Sequence, residues 1–369
     1  MRILILNWKD IKHPRSGGAE IVTHEIAKRL VVLGHQVFWF TSSFSDAAAQ
    51  ENIDGVNIYR KGNIYTVQLL AVYYYFRFFR KKTDIIIDQI HGIPFFTPLY
   101  ANKPILVWIH EVAGEIWDLE FSRLVSTFGK LLEKLYFKFY RNINFLTVSL
   151  STAHELVKYG LDKKLIHVIG LTIDRPDIIV GKKTQHPTLI YVGRIAPVKR
   201  LEMAIEAVAI ITQIFPQLNL TIIGSGKKAY VNKLKELVTG KRLHKYITFK
   251  GKVTEPEKFR ILSRSWINIH PSLKEGFGLT VLEAASCATP TACFRVAGLK
   301  DIVNNDTGVV IGHQSAETLA ATLTQLIKDP HRLNKLSTTA YLWSKSLPTW
   351  KQQAKKFELL LQNLVKYSD

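Results

Sequence analysis

The sequence is poor in cysteine, short of acidic residues and without long apolar runs. Its 369 residues include two cysteines, Cys287 and Cys293, so no disulfide framework is needed and a reducing compartment fits. The most apolar helical stretch, residues 64–76, is interrupted by Gln68 and is shorter than the ~18 residues of a membrane span. Residues 1–6 run directly into a strand pattern, without the charged, apolar and cleavage regions of a signal peptide. We therefore expect a cytoplasmic protein.

The shortage of acidic residues leaves a large positive charge. Lysine and arginine number 50 against 30 aspartates and glutamates, which gives a formal net charge of +20 at pH 7. Such an excess favours an anionic partner: nucleic acid, a phosphorylated substrate or an anionic lipid surface. Charge alone does not choose among them. With 47% hydrophobic residues, the chain can bury substantial cores, which excludes a disordered protein.

Short apolar segments alternate with helical periodicity along the chain. Parallel sheets that are covered by helices on both faces have strands of this kind, so the pattern predicts an α/β fold. In the first half the predicted strands are residues 2–8, 36–41, 84–87, 105–108 and 145–148, with a helix over 19–33. In the second half they are residues 189–192, 218–223, 247–249, 266–269 and 290–294, with a helix over 201–215.

Two such series indicate two doubly wound, Rossmann-like domains. Residues 172–188 have little helical or strand period and contain Pro176, Gly181 and Pro187, which indicates an interdomain linker. We therefore expect domains over residues 1–173 and 174–369. A final helix over about residues 350–367 could cross back to the first domain.

The strongest motif covers residues 271–284, with the sequence PSLKEGFGLTVLEA. It follows a predicted strand and opens a helix near Gly278, where glycines let a ligand approach the backbone and the helix dipole favours an anion. The helical residues from Gly278 to Glu283 span only ~7 Å, so Glu275 and Glu283 can reach one extended ligand. The alternative is a plain turn before a helix that carries one surface glutamate.

A second motif, residues 191–200 (YVGRIAPVKR), places Arg194 and Lys199 before another helix. Cations at a helix N-terminus oppose the helix dipole, and a bound anion such as a diphosphate would remove that conflict. The alternative is a pair of exposed basic residues on a very basic protein. On the dipole alone the two interpretations are equally favoured.

Weaker signals lie at other strand ends, where doubly wound sheets bind ligands. Gly17 and Gly18 precede a helix and could present amides to a phosphate. His110 follows the strand over 105–108 and His91 follows the strand that begins near 84, although a lone histidine is more often structural. Residues 224–227 (GSGK) are similar to half of a phosphate loop but lack the Walker spacing.

The two glutamates of residues 271–284, with seven residues between them, resemble the motif of glycosyltransferase family 4. This family comprises retaining enzymes of the GT-B fold, in which two Rossmann-like domains face each other across a cleft. The resemblance implies that Glu275 contacts hydroxyls of the donor sugar and that Glu283 holds the ribose hydroxyls. It assigns the sugar and the diphosphate to the backbone amides of Gly276, Phe277, Gly278 and Leu279.

The resemblance covers nearly the whole chain. It implies that Arg194 and Lys199 bind the donor diphosphate and stabilise it as it leaves, and that His110 contacts the primary hydroxyl of the sugar. It places the 17–18 glycine pair near the distal phosphate, and the backbone at Val253 against the nucleobase. The implied catalytic residues are Glu275, His110, Arg194 and Lys199.

Neither a metal nor a cofactor is expected. No Asp-x-Asp pair is present to hold a divalent cation, and Arg194, Lys199 and helix amides can replace it. The chain departs from the family pattern at residues 170–174 (GLTID), where the family has Asn-Gly-Ile-Asp. It departs again at residues 298–301 (GLKD), where the family has a glycine-rich turn ending in Glu. Both departures concern the acceptor and the cleft.

Two stretches combine aromatic and basic residues: 72–82 (VYYYFRFFRKK) and 128–141 (FGKLLEKLYFKFYR). Basic amphipathic helices of this kind lie on anionic membranes, whereas core-packing helices with solvated lysines fit the pattern equally well. Both stretches fall in the domain that binds the acceptor in this family. We therefore expect a peripheral protein on the inner face of the cell membrane.

The sequence predicts a retaining hexosyltransferase that uses a GDP- or UDP-linked sugar and a lipid-linked or glycan acceptor at the membrane surface. One alternative is another GT-B-like enzyme, such as an epimerase or a phosphorylase, although no cofactor-bearing lysine is identifiable. Another is a basic nucleic-acid-binding protein, but no nucleic-acid module is recognisable and the cations lie beside the sugar-nucleotide motifs.

Overall fold

The computed structural model describes residues 1–120, 122–174 and 181–367. They divide into two compact units: unit 1 comprises Met1–Thr172 and Pro348–Asp369, and unit 2 comprises Ile173–Leu347. Residues 175–180 of the predicted linker lie outside the described residues. Each unit is a sheet covered by helices.

Unit 1 contains an eight-stranded sheet. Its strands are Arg2–Leu6 (β1), Gln36–Thr41 (β2), Gln50–Ile53 (β3), Val56–Arg60 (β4), Ile85–Ile90 (β5), Ile105–Ile109 (β6), Asn144–Thr147 (β7) and Ile166–Val168 (β8). Their order is β3-β4-β2-β1-β5-β6-β7-β8, and every neighbouring pair is parallel except β3 and β4. The central strands β5 and β6 are buried along their whole length, as expected where helices cover both faces of a sheet.

The antiparallel β3–β4 hairpin is absent from the predicted strands. A two-residue turn joins the strands, and Asp54 and Gly55 both have a positive φ, of 49° and 83°. Asp-Gly is a preferred pair for such a turn because its right-handed twist matches that of the flanking strands. The signal was therefore present in the sequence, but the polar composition of β3 concealed the strand.

The helices of unit 1 lie between the strands. They are Gly18–Val32 (α1), Val67–Tyr74 (α2), Ile116–Glu120 (α3), Arg123–Phe139 (α4) and Leu150–Lys158 (α5), and a π-helical turn over Tyr75–Phe79 continues α2. Single 3-10 turns cover Thr97–Leu99 and Lys163–Leu165. Buried residues of α2 and α4 join one cluster with β1, β2, β5 and β6, so these two helices pack on the same face of the sheet.

Unit 2 contains a six-stranded, all-parallel sheet. Its strands are Thr188–Val192 (β9), Asn219–Ile223 (β10), Ile247–Gly251 (β11), Ile267–His270 (β12), Thr291–Phe294 (β13) and Gly308–Ile311 (β14). The order is β11-β10-β9-β12-β13-β14. The strand order therefore reverses between β9 and β12, which is where doubly wound sheets open a crevice at their carboxyl edge.

The helices of unit 2 are Leu201–Ile211 (α6), Lys228–Gly240 (α7), Glu255–Arg264 (α8), Leu279–Ser286 (α9), Leu299–Ile302 (α10), Ala316–Lys328 (α11) and Pro330–Ser346 (α12). A 3-10 turn over Pro197–Lys199 precedes α6. The last helix of the chain, Trp350–Lys366 (α13), packs in unit 1. There His35 Nε2 lies 2.8 Å from a Glu358 carboxylate oxygen, and the Phe357 ring lies 4.9 Å from that of Trp108.

The prediction of an α/β chain with two doubly wound sheets is confirmed. None of the helices within the described ranges is both long and apolar enough to cross a membrane.

Candidate active site

The carboxyl edge of the unit 2 sheet brings the two strongest motifs together. Because β9 and β12 are neighbours and parallel, the segments that follow them leave the sheet side by side. The backbone amide of Leu273, after β12, donates to the carbonyl oxygen of Val198, after β9, at 2.8 Å. The two motifs are thus joined directly, although 76 positions separate Lys199 from Glu275.

Glu275 and Lys199 form an ion pair at this edge. The Lys199 Nζ donates to Glu275 Oε1 at 2.7 Å, and the two side chains are only 14% and 13% exposed. The Ser272 hydroxyl donates to the same oxygen at 3.0 Å. Although burial opposes ionisation, the Lys199 charge and nearby donors hold the pKa of Glu275 well below its usual range.

This pair changes the interpretation of Lys199. On the helix dipole alone, a bound anion was one of two equally favoured explanations for a cation before α6. In the structure the carboxylate of Glu275 is that anion. The neighbouring Arg200 instead immediately precedes α6 in the left-handed conformation, and its guanidinium donates to Gln314 Oε1 at 2.7 Å. Arg194 lies exposed on the same segment, and its carbonyl oxygen accepts from the Tyr191 hydroxyl.

Two glycines fix the loop that carries Glu275. Gly278 immediately precedes α9 with φ +97°, in the left-handed region that favours glycine. Gly298 has φ +78°, and a Cβ at this position would overlap the backbone of Glu275 and Gly276. The turn over residues 298–301 therefore supports the loop directly. The amides of Gly276, Phe277, Gly278 and Leu279 lead into the first turn of α9, where helix amides favour an anion.

Glu283 lies on α9 and is largely buried. Its Oε1 accepts from Lys258 Nζ at 2.8 Å, and Lys258 also pairs with Glu255 on α8. Its Oε2 is buried and has no hydrogen-bond partner among the described residues. Burial raises the pKa of Glu283, an effect that Lys258 opposes. This carboxylate therefore holds one acceptor oxygen ready for a hydroxyl ligand.

The GSGK segment has a structural explanation. A Cβ at Gly224 would overlap the carbonyl oxygen of Gly193, and a Cβ at Gly226 would overlap that of Ile195. Both glycines are thus required by the close approach of two loops at the carboxyl edge. Val253, on the loop after β11, is partly buried against a cluster that includes Phe259.

In unit 1, His110 is buried at the end of β6. Its ring stacks between Trp108, at 5.3 Å, and His91, at 5.8 Å. Burial lowers the pKa of each of the two histidines to about 3, so both are neutral at physiological pH. His110 Nε2 and both ring nitrogens of His91 have no hydrogen-bond partner within the described ranges. The pair offers uncharged hydrogen-bonding groups, which suit a hydroxyl better than a phosphate.

In the glycine pair at the start of α1, one backbone amide already has a hydrogen-bond acceptor. The amide of Gly17 donates to Glu20 Oε2 at 2.6 Å, and Gly18 is the first residue of α1. Glu20 in turn lies 3.2 Å from Lys9 Nζ. The Gly17 amide is therefore bound to the Glu20 carboxylate. Glu20 and Lys9 lie at the predicted site but were not among the residues predicted from the sequence.

Two family models match the chain in succession. The model described as Glycosyltransferase Family 4 matches residues 16–175, and the model described as Glycosyl transferases group 1 matches residues 174–343. Together the two matches span residues 16–343, so the chain belongs to the glycosyltransferases that these two models describe. Both halves of the chain therefore match the same class of enzyme, the glycosyltransferases.

Curated relatives of this glycosyltransferase include proteins that act on inositol compounds. One is the D-inositol 3-phosphate glycosyltransferase of Pseudarthrobacter chlorophenolicus, 33% identical over 186 residues, which are 45% of this chain and 43% of that protein. Another is the phosphatidylinositol N-acetylglucosaminyltransferase gpi3 subunit of Schizosaccharomyces pombe, 22% identical over 378 residues, which are 96% of this chain and 79% of that protein. The chain thus spans less than half of the first relative and most of the second.

Solved glycosyltransferase structures share the fold over nearly the full length. Sucrose-phosphate synthase from Thermosynechococcus elongatus has a TM-score of 0.84 at 19% identity, with 98% of each chain covered. Anabaena HepE in complex with UDP-glucose has a TM-score of 0.77 at 16% identity, with 98% of this chain and 100% of that chain covered. The GT-B fold predicted from the sequence is confirmed.

In unit 2, four further site residues of this glycosyltransferase were not predicted from its sequence. His270 and Ser272 flank Glu275, Thr280 contacts His270, and Lys258 pairs with Glu283. The position of His270 at the end of β12 was a usable signal, because the same strand-end rule selected His110. Lys258 follows Glu255 at helical i, i+3 spacing, which looks like an ordinary surface pair.

In the described ranges no three His, Cys, Asp or Glu side chains are grouped to hold a metal ion.

Proposed function

We propose that this glycosyltransferase moves a hexose from a nucleotide diphosphate sugar onto an acceptor hydroxyl, and that unit 2 binds the donor. The observation that carries the proposal is the carboxyl edge of unit 2. There a largely buried Lys199 lies beside Glu275, ahead of the N-terminus of α9. Glu283, further along α9, keeps one buried oxygen without a partner in the part of the chain that the structure describes.

These groups suit the parts of such a donor. Cations and helix amides bind a diphosphate, and carboxylates accept hydrogen bonds from sugar and ribose hydroxyls. We assign Arg194 and Lys199 to the diphosphate, Glu275 to the sugar and Glu283 to the ribose. The UDP-glucose complex of Anabaena HepE, which has the same fold, supports a nucleotide sugar as the ligand class.

The reaction that we propose retains the anomeric configuration. The acceptor hydroxyl attacks the same face of the sugar from which the phosphate departs, and the departing phosphate oxygen takes the acceptor proton. The charge that develops on the diphosphate is stabilised by Arg194, Lys199 and the amides before α9. No metal or cofactor is required in this scheme. His110 adds an uncharged hydrogen-bonding group for the sugar, since burial keeps its imidazole neutral.

The acceptor is proposed to lie at a membrane surface, because unit 1 exposes apolar side chains in helical register. On α4 a row of exposed apolar residues, each between 43% and 85% exposed, consists of Leu124, Phe128, Leu131, Leu135 and Phe139. Their spacing of three or four places them on one helix face. Tyr136 and Phe137 on the other side of the helix are buried in the core. The helix therefore packs against the sheet and still presents a second apolar stripe.

Exposed cations lie on α4 itself and beside α2. Lys134 and Lys138 lie on α4, and Arg77 and Arg80 lie near exposed Tyr73 and Phe76 beside α2. An apolar stripe with flanking cations is the arrangement that inserts into an anionic lipid interface. We propose a peripheral position on the cytoplasmic face of the membrane, with a lipid-linked or glycan acceptor. The similarity to a phosphatidylinositol N-acetylglucosaminyltransferase supports a lipid acceptor.

The direct test is nucleotide release from a panel of UDP- and GDP-linked hexoses, with and without membrane extracts as a source of acceptor. We expect one donor to release nucleotide well above the rate of the Lys199→Ala variant, and we expect EDTA to leave that rate largely unchanged. No release from any donor would refute the proposed transfer. Loss with EDTA that added metal restores would refute the metal-free scheme.

A further inference from the structure

Glu275 Oε1 is the meeting point of three groups in unit 2. Lys199 Nζ lies 2.7 Å away, the Ser272 hydroxyl 3.0 Å away and His270 Nδ1 3.7 Å away. The first two distances are hydrogen bonds, whereas the third exceeds the range of about 2.7–3.2 Å for such bonds. Glu275 Oε1 is therefore hydrogen-bonded to Lys199, and His270 Nδ1 lies just beyond hydrogen-bonding distance of the same oxygen.

His270 is held in a fixed orientation with one nitrogen unused. The residue is only 2% exposed, and its Nε2 lies 2.7 Å from the hydroxyl of Thr280 in the first turn of α9. Its Nδ1 is buried and has no hydrogen-bond partner in the described part of the chain. A buried polar atom without a partner is unfavourable in the native state, so a state that supplies one is favoured.

The ion pair has a consequence for donor binding, if Lys199 binds the diphosphate as proposed above. In the structure the charge of Lys199 is already neutralised by Glu275. A diphosphate and the Glu275 carboxylate must then compete for one ammonium group. A carboxylate that loses its cation in a largely buried site needs another donor, because an unpaired buried charge is costly.

We propose that Glu275 is an internal counter-ion that holds Lys199 until the donor diphosphate displaces it, and that His270 is the positioning residue that receives the displaced carboxylate. A shift of less than about 1 Å brings Oε1 within hydrogen-bonding distance of Nδ1. We assign the Thr280 hydroxyl as the donor to Nε2, an arrangement that places the imidazole proton on Nδ1, facing Glu275. The carboxylate is then oriented toward the sugar only when the diphosphate is in place.

The first test measures the affinity of the full chain for UDP and for GDP by calorimetry. Glu275→Gln removes the competing charge, so we expect tighter binding of the nucleoside diphosphate, by about tenfold, together with a loss of transfer. Lys199→Ala weakens nucleoside diphosphate binding, and adding Glu275→Gln to it gives no recovery. Unchanged or weaker binding by Glu275→Gln alone would overturn the counter-ion role.

The second test isolates His270. His270→Phe keeps a flat ring but offers no donor, and we expect nucleoside diphosphate binding to weaken by about tenfold. His270→Asn returns an N–H near the Nδ1 position and should recover most of that loss. The effect of His270→Phe should also vanish in the Glu275→Gln background, since no carboxylate remains to be received. Equal losses in both backgrounds would reduce His270 to a packing role.

Different results would refute the assignment of Lys199 to the donor diphosphate and the counter-ion role of Glu275. If Lys199→Ala leaves the affinity for both UDP and GDP unchanged, Lys199 does not bind the diphosphate and the donor assignment fails with this inference. If Lys199→Ala weakens binding but Glu275→Gln does not tighten it, the donor assignment stands and only the counter-ion role is lost.

Discussion

Lys199 and Arg194 are the residues on which the proposed leaving-group stabilisation depends. One preorganised contact to a developing charge is typically worth ~3 kcal/mol, or about a hundredfold in rate. We expect Lys199→Ala and Arg194→Ala each to lower the rate of sugar transfer by that order. Lys241→Ala, which changes an exposed lysine after α7, is the control. Thermal midpoints separate a catalytic loss from unfolding, and unchanged rates in both variants would contradict the assignment.

Glu283 predicts a pH dependence of donor binding. Its ionised form accepts ribose hydroxyls, and burial raises its pKa above that of an ordinary glutamate. Lowering the pH therefore protonates it earlier, so the KM for the donor should rise at a higher pH than an exposed carboxylate would predict. Lys258→Met removes the cation that lowers this pKa and should move the rise to still higher pH.

Two variants control that measurement. Glu283→Gln should have a high KM that no longer changes with pH, whereas Glu236→Gln, on the exposed side of α7, should behave as the parent protein does. If the pH profiles of Glu283→Gln and the parent coincide, Glu283 does not bind the donor.

At the level of single residues, the sequence identified types of group but not their partners. Glu275, Glu283, Arg194 and Lys199 were predicted from local motifs. Their pairings join residues that are far apart in sequence, such as Lys199 with Glu275 or Lys258 with Glu283, and only the order of the strands brings these together. The unpartnered nitrogen of His270 likewise depends on packing that no local pattern records.

The turn after β10 predicts a measurable loss of stability. Gly224 has φ +137°, and a Cβ there would overlap the carbonyl oxygen of Gly193. Gly224→Ala should therefore cost about 2–3 kcal/mol and lower the thermal midpoint by roughly 5–10 °C. Gly240→Ala, at the end of α7 with open space around its Cβ, is the matched control and should be neutral or stabilising. Equal midpoints for the two variants would show that the loops do not constrain each other.

The outward face of α4 predicts salt-sensitive binding to lipid. The protein should sediment with vesicles that contain phosphatidylglycerol at low salt and dissociate as salt rises, because charge attraction is screened beyond ~8 Å at physiological ionic strength. Phe128→Glu places an acid in the exposed apolar stripe and should abolish sedimentation. Leu342→Glu makes the same change at an exposed leucine of α12 in unit 2 and should have no effect.

Binding to neutral vesicles as strong as to anionic ones would contradict this role of α4, as would full binding by Phe128→Glu.

The sequence predicted the composition of α4 but not which sides of the helix are buried. The sequence left open whether residues 128–141 pack in a core or face a membrane, and the structure shows that α4 has both a buried and an exposed apolar side. Apolar residues on both sides of a helix give no single apolar face in the sequence, so their spacing does not show which side is buried.

For the whole molecule, the repeat of apolar strands and helices was sufficient to predict two doubly wound sheets. The extent of each unit was harder to obtain: the sequence left open whether the final helix crosses back to the first domain, and in the structure α13 packs with α1 in unit 1. Its buried contacts, such as that between Phe357 and Trp108, join residues almost 250 positions apart. Such a contact depends on tertiary packing and leaves no local signature.

The stereochemistry of the transfer tests the proposed chemistry as a whole. With an α-linked nucleotide sugar as donor, the front-face reaction supported by Arg194, Lys199 and the amides before α9 gives an α-linked product. Double displacement would require a carboxylate nucleophile about 3 Å from the anomeric carbon, and inversion would require a positioned base for the acceptor hydroxyl. Proton NMR of the anomeric signal distinguishes the outcomes. An α coupling pattern is expected, and a β pattern would contradict both the mechanism and the role of Glu275.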